Sequence, residues 1–125
     1  MARMGIESVK KEFDYRVIEI TRTGTYKAVA NITVPDNKVV IVAIDNSDPA
    51  ETQIKEYTGT AGDLIVGVIK ENVTAGDNSV VIKRGKLDKK AIDTSNISGL
   101  EDYEVYELLE QHNLFPENIR ERQEF

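Results

Sequence analysis

Apolar positions along the chain fall into short runs separated by turn-forming residues, which is the signature of a β-rich domain. In Lys27 to Val34 the residues Ala28, Ala30, Ile32 and Val34 fall on one side and Asn31 and Thr33 on the other, so one face of a strand would be buried. Arg16 to Thr21 predicts the strand before it, with Thr23-Gly24-Thr25 as the turn between the two. Pro35-Asp36-Asn37 predicts a further turn, and the unbroken apolar run Val39 to Ile44 predicts a central strand buried on both faces. Asp45-Asn46-Ser47-Asp48-Pro49 is a loop of residues that bond their own backbone. Leu64 to Ile69 and Ser79 to Ile82 are two more strands, and Lys86 to Ile92 predicts a strand end or edge whose lysines discourage unwanted pairing.

The period then changes. Val105, Leu108, Leu109 and His112 are spaced i, i+3, i+4 and i+7, which predicts one amphipathic helix over 101–113. Ser98 and Glu101 have the spacing of a capping box, and Asn113 is suited to stopping the helix. Residues 1–15 mix isolated apolar side chains with charges at no clear period and predict a frayed terminus, and residues 116–125 predict a charged tail.

A chain of 125 residues fits one domain with a real core. With no Trp and 6% aromatic residues, that core must come from Val, Ile, Leu and Ala, and association with further copies would cover more apolar surface. The net charge of −6 argues against nucleic acid and anionic membranes as partners, because both require clustered cations. The absence of cysteine removes disulfides, thiolate metal sites and thiol nucleophiles. The first residues lack the apolar core of a secretory signal, and no run reaches membrane-spanning length, so a soluble product made in a cytoplasm is expected.

Candidate chemistry is sparse. A calcium loop beginning at Asp45 would place Glu56 correctly at its last position, but Pro49 falls where a ligand is needed and Ala50 where the sharp turn needs glycine. A polar turn accounts better for that loop, and for Asp77-Asn78. His112, the single histidine, has no partner of triad spacing and sits where an imidazole would favour the C-terminal end of the helix dipole. Glu104, Glu107 and Glu110 form a solvated face. Gly59, Gly62 and Gly67 do not make a dinucleotide fingerprint, Gly85-Lys86 is no phosphate loop, and the sequons at Asn31, Asn72 and Asn96 carry no weight. No catalytic residue, metal ligand or cofactor site emerges, and a non-enzymatic protein is expected.

The stretch from Thr58 to Lys90 carries a more specific pattern. Ala61, Gly62 and Asp63 precede the run Val66-Gly67-Val68-Ile69; Glu71, Val73, Thr74 and Gly76 follow, and then Val81, Ile82, Arg84, Gly85 and Leu87. This order resembles the bacteriophage head decoration (capsid cement) proteins. The resemblance extends loosely over the helix and Leu114-Phe115, and weakens before Thr58. It implies a small, mainly β (α+β) sandwich-like or barrel-like domain over 16–115, with one short C-terminal helix and an extended N-terminal arm over 1–15. It further implies a homotrimer on the outer surface of the phage head, bound to the major capsid protein, with no cofactor, nucleic acid or membrane partner. Within the arm, Arg3, Met4, Ile6, Val9 and Phe13 are the expected capsid-binding residues, and Gly62, Gly67, Gly76 and Gly85 the expected fold-determining turns. The alternative is a β-rich adaptor or peptide-binding module of a tail or baseplate.

Overall fold

The computed structural model describes residues 16–118. Strand β1 spans Val17–Ala28, β2 Val39–Asp45, β3 Gln53–Glu56, β4 Ile65–Ile69 and β5 Asn78–Asp88. A 3-10 turn at Lys89–Ala91 leads into the two-residue β6, Ile92–Asp93, then helix α1 covers Asp102–Gln111 and β7 covers Leu114–Glu117. The described residues are mainly β, and the α-helix among them lies near the C-terminal end, as the residue pattern predicts.

The pairing order is β1-β3-β2-β4-β5-β7, and β1 also pairs with β5, so the first five strands close on themselves as a barrel. Closure leaves no terminal strand among these five, where an open edge would otherwise recruit other chains, and β7 adds outside the barrel along β5. The join between β1 and β3 is short and parallel, through Lys27 with Gln53 and Ala28 with Ile54. In contrast, β1 and β5 run antiparallel from Val17 with Leu87 to Lys27 with Asn78. Near the start of β1, the Arg16 guanidinium donates to the carbonyls of Lys38 at 3.0 Å and Lys70 at 2.9 Å, tying the strand to the chain entering β2 and leaving β4.

Both faces of β2 are buried, as its apolar run predicts. Val39, Ile41 and Ala43 join one core, with Ile82, Leu87, Val105, Leu109 and Leu114. Val40 and Val42 face the other way into a second core, with Ala28, Ile32, Ile54, Ile69, Val73 and Val81. Between the cores, β4 carries a bulge: Val42 opposes Gly67 but Ala43 opposes Ile65, so Val66 is the extra residue. That extra residue lets Ile65 and Val68 share the first core and Val66 and Ile69 the second, which strict alternation would forbid.

Several boundaries differ from the expected ones. Thr23-Gly24-Thr25 is not a turn, because β1 runs through it unbroken in register with Val80, Val81 and Ile82. Beyond Ala28 the chain leaves the sheet, and Ile32 keeps only an isolated bridge to Val73, so Lys27 to Val34 is not one strand. Lys86 is not at an edge; it opposes Glu19 on β1 and Phe115 on β7. The helix cap moves from Ser98 to Glu101, whose N–H donates to the Glu104 carboxylate at 2.9 Å. Ser98 instead donates its N–H to the Thr58 carbonyl at 3.1 Å. Asn113, at φ 65°, ends the helix as expected. Pro116 and Glu117 belong to β7 and not to a tail. The arm over 1–15 and the tail from 119 onward lie outside the described residues.

Two substitutions separate packing from backbone effects. A Cβ at Gly67 would overlap the Ile82 carbonyl oxygen, whereas at Gly62 it meets nothing and only the positive φ of 90° opposes it. Gly67→Ala should therefore lower unfolding stability by about 3 kcal/mol or more, and Gly62→Ala by only about 1–2 kcal/mol. Leu109→Ala, at a fully buried helix position, should cost about 2–5 kcal/mol. Urea denaturation monitored by circular dichroism checks all three.

Candidate functional site

Of the expected fold-determining glycines, only two are in turns. Gly62, at φ 90°, sits in the turn where the Asp63 N–H donates to the Thr60 carbonyl at 3.2 Å. Gly76, at φ 87°, sits in the turn closed by the Asp77 N–H on the Thr74 carbonyl at 2.9 Å. Gly67 and Gly85 lie within β4 and β5, and their role is steric: a Cβ would strike the carbonyl oxygen of Ile82 or of Glu19. Such glycines let neighbouring backbones approach closely. The expected capsid-binding residues Arg3, Met4, Ile6, Val9 and Phe13 lie outside the described residues.

The oxygen-rich loop after β2 is satisfied internally. The Asp45 carboxylate accepts the Ser47 N–H at 2.9 Å and also the Ser47 hydroxyl, and Asp48 accepts the Ala50 N–H at 2.9 Å. The hydroxyl first, and then the N–H, hold the Asp45 carboxyl below its ordinary value of 3.8. Among the described residues no three His, Asp or Glu side chains are grouped to hold a metal ion.

A different site comes from the irregular stretch of the β1–β5 ladder. Arg22 directly opposes Arg84, and the ladder slips on either side of this pair. Thr21 is the extra residue on β1, between the Ile20–Gly85 and Arg22–Arg84 pairs, and Lys83 is the extra residue on β5, between Arg84 and Ile82. Lys83 and Arg84 would face opposite sides of a regular strand, but the bulge aims both into one cleft with Arg22. The Lys83 ammonium lies 5.5 Å from the centre of the Tyr26 ring, a cation–π contact that holds it there.

This cleft has a volume of about 320 Å³. Tyr26, Ile44, Ile65 and Val66 form its apolar wall, and Gln111, His112 and Asn113 close it from the end of α1. The Gly85 N–H donates to the Asn113 carbonyl at 3.1 Å, fixing the helix end against β5. No acidic side chain is among the lining residues, in a chain whose net charge is −6. The described residues give neither Arg22 nor Arg84 an ion pair; the described pairs are Lys27 with Glu51 and Lys55 with Asp63, both at 3.4 Å. Sequence reasoning singled out His112 as a helix-end residue and Arg84 within the motif, but not the cleft. Arg22, Lys83 and Arg84 come together only through bulges that periodicity does not reveal.

Elsewhere the titration of two tyrosines reports on packing. Burial raises the Tyr57 hydroxyl above its ordinary value of 10.0, with the Asp63 carboxylate adding to the effect. Burial does the same for Tyr106, with a smaller contribution from Asp102. A raised value in the folded state means that stability is fully present below pH 10 and is lost as the pH rises through the folded values. Melting temperature should accordingly fall above pH 10, and less steeply in the Tyr57→Phe, Tyr106→Phe double variant. Identical alkaline profiles for the two proteins would contradict the assignment. Comparison of the chain with protein-family models, curated proteins and solved structures finds no match.

Proposed function

We propose that this chain is a structural capsid decoration protein, which binds the outside of an expanded bacteriophage head as a homotrimer and clamps neighbouring major capsid subunits. The observation that carries the reading is the residue order from Ala61 to Leu87, which resembles the head decoration proteins. In this fold that order is occupied by β4, the turn at Gly76 and β5. β5 pairs with β1, β4 and β7, so the resembling stretch lies at the centre of the domain. Its two strand glycines stand where a side chain would collide with a neighbouring backbone, so they serve the scaffold and leave contact with the head to other surfaces.

Clamping would act by mass action. A ligand that binds the assembled shell, but not its separated subunits, stabilises the shell by about 2.7 kcal/mol at a hundredfold excess over its dissociation constant. Three linked copies add avidity, since the second and third contacts form at high effective concentration. The arm over 1–15, which the resemblance implies, would add contacts over a broad, shallow surface of the shell.

Co-sedimentation tests this. Expanded heads assembled from the major capsid protein of the same genome should pellet the full-length chain to saturation and melt at a higher temperature when coated. A chain beginning at Tyr15 should pellet less. Full-length protein that stays in the supernatant at every concentration overturns the reading, and equal pelleting of the two chains removes only the role of the arm.

A further inference from the structure

We propose that the cleft between the β1–β5 ladder and the end of α1 binds an acidic peptide segment of a protein partner, with Arg22 and Arg84 as its carboxylate clamp. Two arginines at directly opposed positions of an antiparallel pair are like charges facing each other, which destabilises the pair. The bulges at Thr21 and Lys83 bracket this pair and direct a third cation into the same space. A cleft-facing cation near Gln111 and His112 is favourable to the C-terminal end of the helix dipole, but the dipole accounts for one cation and not for two opposed arginines. A bound carboxylate relieves the repulsion, because a guanidinium fork matches its two oxygens and two forks can hold one or two such groups.

The remaining lining selects the kind of anion. Tyr26, Ile44, Ile65 and Val66 offer apolar surface beside the cations, which suits a peptide with apolar side chains next to its acids better than a fully polar anion. The volume of about 320 Å³ accommodates a few side chains and no folded element. Long polyanions such as DNA would meet the repulsion of the chain's net charge of −6, whereas a short acidic segment reaches the local cations with little of that penalty. The assignment is independent of the phage-head reading, because the cleft can hold such a segment from any protein partner.

Fluorescence anisotropy of full-length protein with a labelled short peptide of alternating glutamate and leucine tests the proposal. The wild type should bind it, and should not bind the same peptide carrying lysine in place of glutamate. Raising salt from about 20 to about 150 mM should weaken binding severalfold. R22A/R84A should bind at least about tenfold more weakly, and R22K/R84K, which keeps the charge but loses the fork, should fall between the two. Thermal melts establish that each variant is folded, and the single Arg22→Gln, at an exposed position, serves if the double variants are not. Equal affinity of wild type and folded R22A/R84A overturns the proposal. So does tighter binding of a DNA oligonucleotide than of the acidic peptide, or a homo-oligomer in sedimentation that only the arginine variants lose, which would make a second copy the occupant. Because no heads are present, these outcomes are separate from co-sedimentation.

Discussion

Burial of β2 on both faces is the constraint on which the rest of the structure depends. A strand with one solvated face could anchor a single core, but Val39, Ile41 and Ala43 face the helix side while Val40 and Val42 face the opposite side. Each core then needs its own cover. α1 and β7 supply Val105, Leu109 and Leu114 to the first, and the irregular chain after β1 supplies Ile32 and Val34 to the second. Tyr57 is the only ring among the described buried residues of the two cores; the rest of the filling is aliphatic, helped by close backbone approach at Gly67.

Bulges reconcile that demand with the strict two-residue period of strands. Val66 lets β4 serve both cores, and Thr21 and Lys83 bend the β1–β5 ladder where it passes the end of α1. The same device thus has two uses in one small domain. In β4 it redistributes apolar side chains inside, and in the ladder it gathers cations outside. The cationic cleft sits on an acidic molecule, so its field is local and selects short partners over extended polyanions.

How much of this is legible in the sequence depends on whether the signal is local. Val39 to Ile44 reads as a central strand because every position is apolar, and Val105 and Leu109 read as a helix face because their spacing is helical. Gln53-Ile54-Lys55-Glu56 does not read as a strand, since its one apolar residue becomes buried only when β1 and β2 close over it. β7 is hidden for another reason: Pro116 usually marks the end of regular structure, and is tolerated here on a strand outside the barrel, paired along β5 only. Thr23-Gly24-Thr25 imitates a turn, although Gly24 in fact makes room for the Tyr26 ring, which would stand 3.0 Å from a Cβ placed there. The cleft is the least legible feature, because register slips bring Arg22 beside Lys83 and Arg84, and slips depend on the whole sheet.

Native-state hydrogen exchange measures the dependence on β2 most directly. The account predicts that the amides of Val40 to Ala43 exchange only through global unfolding, while those of Glu19 to Arg22, in the bulged part of β1, exchange through smaller openings. Protection of Glu19 to Arg22 equal to or greater than that of β2 would contradict it, and would place the stable centre of the domain in the β1–β5 ladder instead.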